Sequence, residues 1–220
     1  MNILTKEYCL TQQTPLIHFQ SDESGATLRA SEVKPKLDRF LLKRLGDGDY
    51  EEGIKKAREK GWLIGEHPAL RYKMRFKAGR NTRTGDIKYK IFYANMGKER
   101  KKNPLKFLIG DCNIVIVCFS ADLFEFIDKY LSAFFISHTF GFMQGKGFGG
   151  YILDDKRLEN SPTQSDIAKA INLATGCGKV YACVNKQQSN DCIFDKIIKP
   201  FHSIMKSGIN YKNYERSYIF

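Results

Sequence analysis

The chain has 220 residues, 42% apolar and 13% aromatic, which is enough to bury a sizeable core, and 36 Lys and Arg against 24 Asp and Glu give it a net charge of +12. No stretch approaches the roughly 18 uncharged apolar residues of a membrane span: even Phe119 to Ile136 is interrupted by Asp122, Glu125, Asp128 and Lys129. Met1 to Thr11 lacks a basic segment followed by an apolar one, so no secretory leader is expected and the chain reads as cytoplasmic, with no membrane partner.

Glu7 to Phe19 reads as an extended segment with an irregularity at Pro15. A polar loop over Asp22 to Thr27 follows. Ser31 is placed to cap a helix whose apolar positions Val33, Leu37, Phe40, Leu41 and Leu45 share one face, with Pro35 in the first turn and Gly46 as its end. Asp47 to Pro68 is charged and glycine-containing, with a short helix expected around Glu51 to Lys60.

Arg71 to Lys106 holds thirteen cations (Arg71, Lys73, Arg75, Lys77, Arg80, Arg83, Lys88, Lys90, Lys98, Arg100, Lys101, Lys102 and Lys106) against Asp86 and Glu99, which is +11 of the chain's +12. So local a field attracts a polyanion, because each phosphate contact releases condensed counterions. From Arg71 to Lys77 basic and apolar residues alternate. On a strand this turns Tyr72, Met74 and Phe76 inward and puts the four cations on the outer face. Lys88 to Ile91 repeats the pattern and Gly79 to Asp86 has turn chemistry, so a hairpin with a cationic loop is expected. An edge pair whose lysines discourage aggregation is the simpler alternative. Lys98 to Pro104 reads as a second cationic loop.

Phe107 to Phe119 has the composition of a strand buried on both faces. Ser120 then caps a helix with Leu123, Phe124, Ile127, Tyr130, Leu131, Phe134 and Phe135 along one stripe. The glycine-rich run Gly141 to Gly150 leads into a short strand at Tyr151 to Leu153. This order is the split βαβ plan: an α+β, ferredoxin-like (RRM-like) antiparallel sheet with helices on one face. Residues 1–153 form that domain. Residues 154–220 are expected to add a C-terminal α/β extension, part of a second half-domain, with helices at Ser161 to Thr175 and Asp191 to Ser207 around a strand at Lys179 to Val184.

The six cysteines read as reduced thiols. Cys112 and Cys118 share one side of a strand, and Cys177, Cys183, Cys192 and His202 lack the close pairs of a structural zinc site, so no metal is expected. Gly145-Lys146-Gly147 lacks the spacing of a nucleoside-triphosphate loop, and nothing points to a cofactor.

Thr14 to His18, followed by Leu28 to Lys34, is similar to the start of CRISPR-associated RAMP proteins, and Gly141 to Gly150 resembles the RAMP glycine loop. The resemblance covers roughly residues 5–153. It implies a ferredoxin-like fold that binds CRISPR RNA or its target, with other effector subunits as partners. It also marks Arg29 and Lys34 as candidate RNA ligands, whereas Lys36 and Arg39 read as a solvated face. Gly145, Lys146 and Gly147 would bring backbone donors and a cation to a phosphate, and Phe142 and Phe148 offer stacking surfaces, with a core role the equal alternative for Phe148. Arg71, Lys73, Arg75, Lys77, Arg80 and Arg83 complete the candidate RNA-binding set.

Cleavage is the open question. Metal-independent cleavage of RNA needs an acid and a base beside the 2′-hydroxyl. His18 and His138 are the candidate catalytic residues, but the family's endoribonuclease branch relies on a histidine of the first helix, which is absent here. Three readings stand: an RNA-binding RAMP-like subunit of an antiviral effector complex, a metal-independent endoribonuclease processing CRISPR RNA, and a protein–protein assembly module.

Overall fold

The computed structural model describes residues 3–18, 23, 26–79, 82–86 and 106–154, with short pieces at 169, 171–172, 209–210 and 214–215. Strands β1 (Leu4–Gln12) and β2 (Leu16–Ile17) are followed by helices α1 (Ala30–Leu45) and α2 (Tyr50–Glu59). Then come β3 (Leu63–Ile64), β4 (His67–Leu70), β5 (Tyr72–Ala78), β6 (Arg83–Asp86), β7 (Lys106–Ile109) and β8 (Cys112–Cys118). Helix α3 (Ala121–Ser137), a 3-10 turn at Gln144–Lys146 and β9 (Tyr151–Asp154) complete the sheet domain, and β10 (Ile209–Asn210) pairs with β11 (Tyr214–Glu215).

The main sheet has the order β5-β8-β1-β9, antiparallel throughout, with the crossover α1 joining β1 to β5 and α3 joining β8 to β9. That is the ferredoxin-like arrangement, and the fold is α+β. Period-two alternation decides its faces. Tyr8 lies opposite Ile114, which lies opposite Phe76, on the inner face; one residue on, Glu7, Val115 and Arg75 line up on the outer face. The inner row packs on α1 through Val33, Leu37 and Leu41 and on α3 through Leu123, Ile127, Leu131 and Phe134, all fully buried. Burial of these apolar side chains dominates the stability, at about 25 cal/mol per Å² removed from water.

Polar groups finish the core at two places. Lys6 and Tyr8 both donate to Asp128 Oδ1 on α3, at 2.6 and 2.8 Å. Between α1 and β4, Asp38 is 5% exposed; its Oδ2 accepts from Lys34 Nζ at 2.7 Å and from the Leu70 amide at 3.3 Å.

Four expectations change in detail. Helix α1 begins at Ala30 with Arg29 as its N-cap and no side-chain cap, so Ser31 lies inside it and Pro35 falls past the first turn. Phe107 to Phe119 is two strands in two sheets, because the chain turns at Gly110-Asp111. Gln12 braces that corner: its amide donates to Asp111 Oδ1 at 2.8 Å and its Oε1 accepts from Gly110 N at 2.9 Å. Third, β5 finds its described strand partner in β8, and the expected arm Lys88 to Ile91 lies outside the described residues. Fourth, Arg83 to Asp86, expected as turn, is a strand paired with β7 in a second sheet of order β2-β7-β6. Gly79 N donates to Asp111 O across the corner, so β5–β6 and β7–β8 are the two arms of one bent hairpin. In this hairpin the arm opposite β5 and β6 is residues 106–118. Residues 87–105, with the cationic loop at Lys98 to Pro104, and nearly all of the extension from 155 on lie outside the described residues.

Candidate functional site

The outer face of the main sheet carries the first group of candidates. Lys73, Arg75 and Lys77 are exposed and lie along β5 about 6.6 Å apart, the two-residue repeat of a strand. Their backbone-mates Tyr72, Met74 and Phe76 pack on the core, as the alternation requires. Lys73 and Arg75 make no ion pair among the described residues. Lys77 donates to Glu7 Oε2 at 3.0 Å, and Asn113 Nδ2 donates to Glu7 Oε1 at 2.8 Å. The Asn113 bond and the Lys77 ammonium hold the Glu7 carboxyl below its ordinary pKa. Val115, on the same face, is only 2% exposed between the longer side chains of Arg75 and Glu7. Arg71 precedes the strand and its guanidinium donates to Leu63 O at 3.1 Å.

The glycine loop forms a second group, at the opposite edge of the sheet, because it feeds β9. It is a tied structure. Phe140 N donates to Gly149 O, Gly149 N to Pro15 O, Phe142 N to Ile17 O, and Gly150 N to Thr14 Oγ1 at 2.8 Å. Gly149 has φ +74°, and a Cβ there would collide with the Phe140 carbonyl, so only glycine fits. Phe148 is buried, a core anchor; Phe142 is 48% exposed. Gly145 is exposed and Gly147 closes the 3-10 turn at φ +82°, while the Lys146 side chain lies outside what the structure describes.

Helix α1 separates its cations by role. Lys34 Nζ is committed to Asp38 and to Leu70 O at 2.9 Å, over the Tyr72 ring, so it holds the fold together. Burial raises the Asp38 pKa even though Lys34 opposes the shift. Lys36, read from sequence as solvated, instead reaches the glycine loop. Its Nζ donates to Thr139 O at 3.2 Å, to Gln144 Oε1 at 2.9 Å and to Glu32 Oε1 at 3.1 Å. Glu32 Oε1 also accepts from Gly141 N at 2.8 Å. Sequence reasoning missed this network; the four-residue spacing of Glu32 and Lys36 was its one visible trace. Arg39 is exposed beside the Tyr50 ring. Arg29, at the N-cap, is half-buried and its charge lowers the pKa of His18, after burial of that imidazole.

His18 and His138 attach to different stretches of α1. His18 feels Arg29 and Glu32; His138 packs against Phe40, eight residues or roughly 12 Å further along the helix. His138 Nδ1 lies 3.0 Å from Phe134 O and so carries its proton there, and its ring stacks on Phe134. Burial depresses its pKa.

Arg83, at the start of β6, is exposed and borders a polar cleft of about 510 Å³ between the end of β1 and the hairpin's corner. Thr14 borders the same cleft, so the hairpin and the end of the glycine loop approach each other here and not at Gly145 to Gly147. Arg80 lies outside the described residues. Among the described residues, no group of three or more His, Cys, Asp or Glu is placed to hold a metal ion. Cys112 and Cys118 are buried free thiols, with Cys112 pushed up to about 12 by burial. No described helix is long and apolar enough to cross a membrane.

The family model described as the Cmr1 N-terminal domain matches residues 3–209. No curated protein matches the sequence. Among solved structures, the chain is similar to one in the "Cryo-EM structure of the Type III-B Cmr-beta bound to cognate target RNA", at 9% identity and a TM-score of 0.42. The match covers 70% of this chain and 59% of that one.

Proposed function

The chain belongs to the Cmr1 N-terminal domain family and is a CRISPR-associated protein of the RAMP type; from that premise we propose that it is an RNA-binding subunit of a CRISPR effector complex. The RNA would be CRISPR RNA or its target, and the protein partners other subunits of the complex. The observation that carries this reading is the row Lys73, Arg75 and Lys77 on the outer face of the sheet, the first two with no ion pair among the described residues. Lys77 is paired with Glu7 and Arg75 flanks Val115, yet all three side chains are exposed, and a row of exposed cations on a pleated face suits successive phosphates of a single strand.

The same hairpin connects its arms through residues 87–105, which carry six further cations against Glu99 alone. The flanking pair Asp86 and Lys106 fixes the two points from which that segment departs. The glycine loop, in this reading, is a scaffold that fixes α1 against β2, with Phe142 as its one exposed aromatic.

The test is fluorescence anisotropy of a labelled single-stranded RNA across a salt series. Affinity should fall linearly on a log–log plot with a slope of about −0.7 for each phosphate engaged. Lys73→Ala with Arg75→Ala should make that slope shallower by about 1.4. An unchanged slope, with the double variant still folded, removes the sheet face from the interface.

A further inference from the structure

The cleft beside Arg83 has walls from three places: Gln13 and Thr14 after β1, Thr82 and Arg83 entering β6, and Gly110 and Asp111 at the β7–β8 corner. Its size suits one small polar ligand. What distinguishes it is that its free hydrogen-bonding capacity is of both signs. Arg83 brings a guanidinium fork with no ion pair among the described residues. Thr14 Oγ1 accepts from Gly150 N, which leaves its hydroxyl hydrogen to donate. Against these, Asp111 uses Oδ1 to accept from Gln12 N and leaves Oδ2 open, and Thr82 Oγ1 donates to Gly79 O and keeps its lone pairs.

A simple anion fits such a site badly, because Asp111 would repel it. A hydroxylated cation fits badly too, because of Arg83. The geometry points to a ligand that is anionic at one end and a hydrogen-bond donor at the other: one ribonucleotide of a bound strand, its phosphate on Arg83 and its 2′-hydroxyl donating to Asp111. This inference rests on the RNA-binding reading and adds to it how the protein tells ribose from deoxyribose, since the 2′-hydroxyl is the group that differs. The walls are well placed to hold such a geometry. Gly110 lies so close to Thr82 that a Cβ would meet its Cα at 2.7 Å, and Gln12 fixes Asp111 through the backbone amide. Arg83 lies on the same arm of the bent hairpin as Lys73, in the strand that follows β5.

The experiment titrates the full chain with a labelled single-stranded RNA and with the 2′-deoxy strand of the same sequence. It compares Arg83→Ala and Asp111→Asn, with thermal melts as the check on folding; Asp111→Asn keeps the acceptor that Gln12 uses, and Arg83→Gln replaces the alanine variant if that one is unstable. Asp111→Asn should reduce the preference for RNA over DNA by about tenfold, the worth of one charge-assisted hydrogen bond; the lost carboxylate charge eases phosphate binding for both strands alike and cancels in that ratio. Arg83→Ala should weaken both strands alike and make the salt slope shallower by about 0.7. If the parent binds RNA and Asp111→Asn leaves the RNA-to-DNA ratio unchanged, the assignment of this cleft is overturned while the RNA-binding reading stands. If the parent binds neither strand, both are overturned.

Discussion

Lys36 Nζ donates to Gln144 Oε1 across 2.9 Å, and this contact spans 108 residues of sequence to tie the first helix to the glycine loop. With Glu32 it satisfies Thr139 O, Gly141 N and Gln144 together. Lys36→Met keeps the aliphatic stem and removes the ammonium. It should lower stability by about 1 kcal/mol, the net worth of a charged hydrogen bond discounted for a side chain that is 30% exposed. The shift in the urea midpoint measures it. An unchanged midpoint would mean that Glu32 and Gln144 hold the loop by themselves.

Gly149 is the position in that loop least able to change. Alanine there must adopt a left-handed φ of +74° and push its Cβ into the Phe140 carbonyl. The conformational strain alone costs about 1–2 kcal/mol, and the collision adds to it. Gly149→Ala should lower the thermal midpoint by several degrees or prevent soluble expression, whereas alanine at exposed Gly145 should be milder. Paired melts of the two variants check the ranking.

Much of this architecture was visible in the residues because its signals are local. The alternation from Arg71 to Lys77, the stripe of α3 and its Ser120 cap, and the glycine run before β9 each specify an element with no knowledge of the others. What the sequence concealed was decided at long range. The one local hint of a break between Phe107 and Phe119 is Gly110-Asp111 itself, and Gln12, nearly a hundred residues away, braces the corner there. Likewise Lys34 and Lys36 each have an acid four residues away on α1, and only the packing of β4 and the glycine loop shows which cation goes where. The clue was present in Asp38, which sits beside the apolar positions Leu37, Leu41 and Leu42 and therefore needs a buried partner.

Lys34 should accordingly behave as a structural residue. Lys34→Met leaves Asp38, 5% exposed, with only the Leu70 amide and the nearby Tyr72 hydroxyl to support its charge among the described residues. Breaking such a pair costs roughly 3 kcal/mol. The deficit should depend on pH with a definite sign. The folded-state pKa of Asp38 is already raised by burial and rises further without the ammonium. Protonation then relieves the strain, so the deficit of the variant relative to the parent should shrink as pH falls toward 5. Denaturant titrations at pH 7 and pH 5 test this, and a deficit independent of pH would show that Asp38 is compensated by another group.

His138 gives the opposite slope. Burial lowers its folded pKa below the ordinary 6.5, so the unfolded chain takes up a proton first as pH falls. The stability it contributes is complete above 6.5 and is lost as pH descends toward the folded value. His18, lowered by burial and by Arg29, adds a contribution of the same sign. His138→Asn retains a donor for Phe134 O and removes the titration. Its melting temperature should be lower than the parent's at pH 7.5, through lost ring packing on Phe40 and Phe134, but should fall less between pH 6.5 and 5. Parallel slopes would place the titrating group elsewhere.

Glu7 offers a test of the sheet face that predicts a gain. It is the acid set among the cations of the outer face, paired with Lys77 and in line with Arg75 across Val115. If a ribose-phosphate chain follows that row, Glu7 opposes it twice, by repulsion and by occupying Lys77. Glu7→Gln keeps the shape and a hydrogen-bond acceptor for Asn113 while releasing the Lys77 ammonium. RNA affinity at low salt should rise by up to roughly fivefold, on the scale of the ~1 kcal/mol that a unit charge at contact distance is worth in water. The gain should fade as salt is raised past the point where the screening length falls below about 8 Å. A loss of affinity, or a gain that ignores salt, would mean that the strand does not cross this face and that the cations of residues 87–105 carry the contact without it.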